Sequence, residues 1–186
     1  MPPKVKTTKE AILATAVEIV REQGAAALNA RTVAARLNCS TQPIFSNFAT
    51  MEDLRLAVVA QANALCDAYI RREVESGDWP PYKASGMAYI RFAKEETELF
   101  KLLYMRDRKE ETVPKEFIIG QPTEDILHAT TGLAGDVAKL FHLEMWAYVH
   151  GIATMYATGF VDLPRELVSR MLTDAYQGLR KHYELE

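Results

Sequence analysis

Little in this chain belongs to catalysis, to metal binding or to membranes. Its two cysteines, Cys39 and Cys66, make no disulfide framework and no metal-ligand spacing. Neither has a basic cluster or a resolving partner near it in sequence, which removes the usual setting of a redox sensor. The histidines include no H-x-x-x-H or H-E-x-x-H pair, since His142 and His150 stand eight residues apart and His128 and His182 are isolated. A Gly-rich phosphate loop and a G-x-S-x-G elbow are both missing, and no Cys is placed locally with a His. No catalytic residue, metal or cofactor is therefore expected. The opening MPPKVKTT lacks the apolar stretch of a secretory leader, so a cytoplasmic location is expected. The longest run without a charge, residues 145–161, is 17 residues long, near the length of a membrane span. It includes His150, Thr154, Thr158 and two glycines, so a helix packed on several sides within a globular protein accounts for it better.

No stretch keeps the period of two that a half-buried strand requires, and apolar residues recur at steps of three and four throughout. The expected fold class is all-α, and 48% apolar residues allow a sizeable core. Charge is uneven. Residues 1–48 hold six basic side chains (Lys4, Lys6, Lys9, Arg21, Arg31, Arg36) against Glu10, Glu18 and Glu22, a net of +3, while the remainder holds 16 basic and 22 acidic residues, a net of −6. A basic head on an acidic body suits a phosphate-binding end that does not attract nucleic acid elsewhere.

The most informative stretch is NARTVAARLNCSTQPIFSNF, residues 29–48, which reads as two short helices joined by a tight turn. Asn29 is a good N-cap, and Val33, Ala34 and Leu37 make one apolar face. Asn38 tolerates the left-handed conformation of a turn between crossed helices. Ser40 is expected to cap a second helix over 41–47, with Pro43 in its first turn and Ile44, Phe45 and Phe48 on its buried side. Thr41, Gln42, Ser46 and Asn47 are left facing outward, able to bond base edges or phosphates. Upstream, the spacing predicts a helix over 8–22 with Ile12, Leu13, Ala16, Ile19 and Val20 inward. Thr7 and Glu10 form a T-x-x-E capping box before it, and Gly24 is its stop.

These residues, with Ala11-Ile12-Leu13, Ala16, Gly24, Val33-Ala34-Ala35-Arg36-Leu37, Ser40, Ile44-Phe45, Phe48 and Glu52-Asp53-Leu54, resemble the TetR family of bacterial transcriptional regulators over about the first 55 residues. Two positions depart from the family pattern. Phe45 stands where members usually carry Tyr, and Met51 where they often carry Lys, both phosphate-contacting positions in the family. The resemblance implies DNA contacts from Arg31, Thr32, Ser40, Thr41, Gln42, Pro43, Phe45, Ser46 and Asn47. It also implies a helix-turn-helix DNA-binding domain over 1–50 and a helical effector-binding and dimerisation domain over 51–186.

The rest of the chain is expected as further helices over about 51–75, 83–94, 95–105, 123–131, 136–158 and 165–183, about nine in all. Ser76-Gly77-Asp78 and Pro80-Pro81 end the first of these, and the charged stretch 106–114 reads as a solvated connection. In the eighth helix, Trp146-Ala147-Tyr148-Val149-His150-Gly151 resembles a Trp-x-x-x-His-Gly signature found in the C-terminal domains of one TetR subgroup. Two readings of His150 stand open: a core histidine bonded to a backbone carbonyl, or the polar anchor of an apolar ligand pocket walled by Tyr89, Phe100, Tyr104, Met105 and Trp146. Gly151 in mid-helix costs about 1 kcal/mol against Ala, which a close approach of another helix or a ligand would offset.

The resemblance implies a homodimer paired through helices eight and nine, with the partners a double-stranded DNA operator and a small effector. The function implied is a repressor released from a near-palindromic operator by a small, mostly apolar effector. The alternative is a TetR-like interaction protein with a protein partner or no effector.

Overall fold

The computed structural model describes residues 7–105 and 121–185, with side chains in the second stretch from residue 125 onward. Among them nine α-helices follow one another: α1 Lys9–Gln23, α2 Ala30–Arg36, α3 Gln42–Asn47, α4 Met51–Ser76, α5 Pro81–Glu95, α6 Thr97–Tyr104, α7 Gln121–Thr131, α8 Gly135–Ala157 and α9 Arg165–His182. A single 3-10 turn, Ala25–Ala27, separates α1 from α2, and the described residues form no strand. The chain divides into two compact units, Met1–Leu65 with Glu96–Arg106, and Cys66–Glu95 with Asp107–Glu186. The expected solvated connection at 106–114 lies outside the described residues, as do Lys4 and Lys6.

In the first unit α1 begins one residue later than its T-x-x-E pattern suggests. Thr8, not Thr7, is the cap, its Oγ1 accepting the Ala11 N–H at 3.2 Å. Two threonines in series are equal candidates by residue type, and the position of the first-turn N–H groups decides between them. Glu10 then lies in the first turn, where a backbone hydrogen bond and a second from Thr8 hold its carboxyl below the ordinary range. Ile12, Ala16, Val17, Ile19 and Val20 are buried along one face. The helix stops at Gly24, whose φ of 81° suits a residue without Cβ and whose N–H reaches Val20 O at 2.8 Å. An added Cβ there would stand 2.8 Å from Oε2 of Glu98 on α6. Arg21 ties the two helices further, bonding Glu18 and, at 2.7 Å, Glu96. On α6 the buried residues are Leu99, Phe100 and Leu103, whereas Leu102, which its apolar spacing with Leu99 and Leu103 would put inward, is half-buried.

The helix α4 has a start signal not read from the sequence. Thr50 and Asp53 cap each other reciprocally: Asp53 N–H donates to Thr50 Oγ1 at 3.1 Å, and Thr50 N–H donates to Asp53 Oδ2 at 2.9 Å. This is the capping-box arrangement with Asp in place of the usual Glu.

In the second unit α5 is the central helix. It begins at Pro81, two residues earlier than expected from the apolar spacing, because proline at the first helical position loses no intrahelical bond and brings a preset φ. Tyr82, Met87, Tyr89, Ile90 and Phe92 are all buried on it. At Gly86 an added Cβ would lie 3.3 Å from Leu172 of α9 and 3.4 Å from Val149 of α8, so these neighbours press closest where α5 has no side chain. Two tyrosine–histidine bonds also cross from α5 to α8. Tyr82 Oη lies 2.9 Å from Nδ1 of His142, and Tyr89 Oη lies 3.0 Å from Nδ1 of His150. The rising numbers on both sides show that the two helices run parallel. Around the first pair, Leu127, Ala138, Phe141 and Met145 form the core with Tyr82, and Tyr176, Leu179 and Tyr183 of the C-terminal segment pack on it.

Among the described residues the apolar helix α8 is not packed on several sides. Ala138, Phe141, Met145, Val149, Ile152 and Ala153 are buried, whereas Val137, Leu140, Leu143, Tyr148 and Met155 are exposed. Nor does anything approach Gly151 closely: an added Cβ would meet no atom within 4 Å. The expected offset for the mid-helix glycine is thus not found among the described residues, because Gly151 lies about 100° around the helix from His150, toward the exposed side.

His142 carries a consequence for stability. Burial pushes its pKa from the ordinary 6.5 down to about 4. As pH falls below 6.5 the unfolded chain takes up this proton while the folded one does not, so stability is full above 6.5 and declines toward pH 4. His142→Gln, which can still accept from Tyr82, is expected to shrink the drop in melting temperature between pH 7 and pH 4.5. An unchanged drop would show that His142 titrates normally.

Candidate nucleic-acid interface and effector site

A helix of six residues cannot hold itself together, so α3 depends on what it buries. Ile44 and Phe48 are its anchors, nearly fully covered, each contributing about 1.5–3 kcal/mol of burial. Its start differs from expectation. Thr41 rather than Ser40 precedes the helix, and no side chain caps it. Pro43 explains this: it occupies one of the two positions whose N–H an N-cap side chain would bond, and it has none to give. The backbone serves instead, with Thr41 O accepting from Ile44 N at 3.1 Å and from Phe45 N at 3.3 Å. The preceding turn follows expectation, with Asn38 at φ 50° and Asn29 Oδ1 accepting the Thr32 N–H at 3.0 Å.

None of the nine residues expected to meet DNA is buried. Arg31, Ser40, Gln42, Phe45 and Ser46 are exposed, and Thr32, Thr41, Pro43 and Asn47 are half-buried. Phe45 is the correction: expected on the inner side of α3, it is 48% exposed, because Ile44 and Phe48, four apart, already define that side. Some polar groups are partly committed within the helix. Ser46 Oγ donates to Gln42 O at 3.0 Å and Asn47 Nδ2 donates to Pro43 O at 2.7 Å, whereas no such bond engages the Gln42 amide among the described residues. The basic residues are also unequal. Arg36 forms a two-pronged pair with Glu22, at 2.7 and 3.3 Å, which holds the carboxyl below its ordinary range; Arg31 pairs with no carboxylate among the described residues. Thr7, Thr8, Lys9 and Glu10 line an open groove with Ser46 and Asn47, and Lys9 stands over the Phe48 ring at 5.1 Å.

The six residues expected around an effector divide between the units. Tyr89, Trp146 and His150 belong to the second. There the Trp146 and His150 rings stack with centroids 4.5 Å apart and planes 15° from parallel, while Tyr89 holds Nδ1. Burial keeps the pKa of His150 below its ordinary value. Phe100, Tyr104 and Met105 belong to the first unit, where Phe100 is wholly buried against Tyr104 at 5.0 Å and Met105 is exposed. Sequence reasoning did not find the matching pair Tyr82 and His142, although the interval from Tyr82 to Tyr89 and that from His142 to His150 could have suggested it. Among the described residues no group of three His, Cys, Asp or Glu side chains could hold a metal, and no helix is long and apolar enough to cross a membrane.

A family model described as Tetracyclin repressor-like, C-terminal domain matches residues 82–175. No curated protein sequence matches. A protein of unknown function from Rhodococcus sp. RHA1 has a similar solved structure, with a TM-score of 0.74 at 22% identity over 96% of this chain and 98% of that one. A TetR-like transcriptional regulator from the same organism gives 0.66 at 14% identity, with the same coverage. A member of the TetR family from Streptomyces coelicolor A3 gives 0.63 at 20% identity, over 90% of this chain and 96% of its own. At such identities the structural likeness is one of fold.

The stack yields a direct test. The Trp146 indole shields the face of His150, and burial is what lowers the imidazole pKa. Trp146→Ala is therefore expected to raise the His150 titration midpoint, followed by NMR, toward 6.5. A midpoint that stays put would assign the burial to other neighbours.

Proposed function

This chain belongs to the TetR family of transcriptional regulators, and on that premise we propose that it is a ligand-responsive repressor. Residues 1–50 read DNA and residues 51–186 bind an effector and a second subunit. The observation that carries the reading is the outer surface of α3, where Gln42, Phe45 and Ser46 stand exposed on a helix pinned from beneath by Ile44 and Phe48. In this reading α3 enters the major groove of a near-palindromic operator in the cytoplasm, with half-sites about 34–36 Å apart or a multiple of that. Gln42 reads an adenine edge, while Arg31, Thr32, Ser40, Thr41, Pro43, Phe45, Ser46 and Asn47 pack on the backbone and groove walls. The effector is a small, mostly apolar molecule held at Tyr89, Trp146 and His150. Its binding shifts α4 and so the spacing of the two heads, and the coupling between the sites is reciprocal.

Dimerisation through α8 and α9 is supported by the exposed residues of α8. Val137, Leu140, Tyr148, Gly151 and Met155 fall within about 80° of one another around the helix, an apolar stripe with a bare backbone position in it. A symmetric partner crossing at Gly151 accounts for both features.

A second reading, an interaction protein that has kept the fold, is favoured by one observation. The DNA-facing side lacks donors at Phe45 and Met51, and Arg36 is engaged by Glu22. Operator binding separates the two. Gln42→Ala is expected to weaken specific binding by about 1–3 kcal/mol while leaving random duplex nearly unaffected at matched salt. Phe45→Tyr is expected to tighten both specific and random duplex, up to about tenfold, by adding one phosphate bond worth roughly 0.5–1.5 kcal/mol. Absence of any DNA binding, with both variants folded, would favour the interaction protein.

The dimer has its own test. Gly151→Leu meets open space in the single chain and improves helix propensity, so its fold should persist. Light scattering is expected to show a monomer; a dimer as tight as the parent would place the interface elsewhere.

A further inference from the structure

Trp79 lies in the connection between α4 and α5, and its indole is attended by two cations. Lys83 Nζ stands 4.4 Å from the ring centroid and the Arg165 guanidinium carbon 5.6 Å. A third cation, Arg91, shares the buried carboxylate of Glu73 with Arg165, at 2.7 and 2.9 Å. Two of the three cations thus share one carboxylate, and both of its oxygens are occupied. Lys83 is half-buried; it bonds the Thr173 hydroxyl at 2.9 Å and reaches no carboxylate among the described residues. Burial pulls its pKa below that of an ordinary lysine, as expected of an ammonium short of compensating charge. Asp78, next to Trp79 in the chain, and Glu166, next to Arg165, are exposed to solvent, where water screens them.

The same corner contains donors without acceptors. Trp79 Nε1 and Arg91 Nε are both buried and have no hydrogen-bond partner among the described residues. Buried N–H groups are nearly always paired, and an orphan calls for a missing acceptor. Backbone donors add to the surplus: α9 opens with Arg165 after Pro164 and its first turn receives no side-chain cap, and α5 opens with Pro81 after Pro80, whose side chain has no acceptor to offer. The positive ends of these two helices therefore carry Lys83 and Arg165 in their first turns.

We propose that this corner binds a small oxyanion, the phosphate or carboxylate group of a small molecule, with Lys83 and Arg165 supplying charge and the Trp79 indole N–H a directed hydrogen bond. Glu73 holds Arg91 and Arg165 in place without cancelling them. The site uses none of the residues assigned to DNA or to the apolar effector, and it does not rest on the regulator reading.

The indole signals of Trp79 and Trp146 in a nitrogen-15 NMR spectrum, assigned with Trp79→Phe, report on it in the full-length protein without DNA. Sodium phosphate and sodium acetate are titrated separately at pH 7, with sodium chloride holding ionic strength constant. A saturable shift of the Trp79 signal is expected, weakened at least about tenfold in Lys83→Met and in Arg165→Gln, because charge-assisted bonds are lost. Saturation by phosphate alone assigns a tetrahedral ligand, by acetate alone a planar one, and by both the shared oxyanion chemistry. Arg165 is exposed along much of its side chain, and Glu73 retains Arg91 without it, so this variant decides the matter should Lys83→Met fail to fold. A shift that never saturates, that follows chloride equally, or that is unchanged in the folded variants overturns the proposal.

Discussion

The reading surface depends on the burial of two side chains. Six residues of α3 have too few internal hydrogen bonds to be helical in water, and Pro43 leaves its start without a side-chain cap. What fixes the helix is Ile44 and Phe48 pressed into the first unit, with Val33 and Ala34 of α2 and the inner face of α1 as companions in its core. Much else in that unit serves the same requirement. Asn29 sets where α2 begins, Asn38 turns the chain in a conformation most residues avoid, and Gly24 lets α1 end close to Glu98. Because the anchors face inward at a spacing of four, the residues between and beside them are forced outward. Phe45 is presented to solvent by this geometry in spite of its own preference for burial.

The succession of helices was largely legible, because apolar spacing at three and four needs only the chain itself. Every α-helix lies within a few residues of where that spacing puts it, and the left-handed Asn38 and the stop at Gly24 follow from residue type. Starts were harder. Thr7 against Thr8 and Ser40 against Thr41 are choices between adjacent capping residues, decided by which N–H groups are available, and in α3 proline had removed the relevant one. The start of α5 was missed by two residues because Pro81 was read only as a barrier and not as a first helical residue. Facing was hardest of all: Phe45 and Leu102 are apolar and sit beside buried neighbours, yet Phe45 is exposed and Leu102 only half-buried.

The candidate sites differ in the same way. The outward set on α3 could be read from one short motif, since the anchors and the readers alternate within seven residues. The partners of His142 and His150 could not, since each lies about 60 residues away on α5. The ion cluster at Glu73 was equally invisible, because its members come from α4, α5 and α9 and only folding brings unlike charges from distant segments together.

The two tyrosine–histidine bonds have a mechanical meaning. They join α5 to α8 at points about 10 Å apart along the seam, and each requires a particular rotation of both helices about their own axes. A single such bond would leave α5 able to roll or slide past α8; two at separate heights remove both freedoms together. The pair of helices therefore moves as one lever, and a force applied anywhere along α8 is delivered to α5 as tilt, with none of it lost in slip.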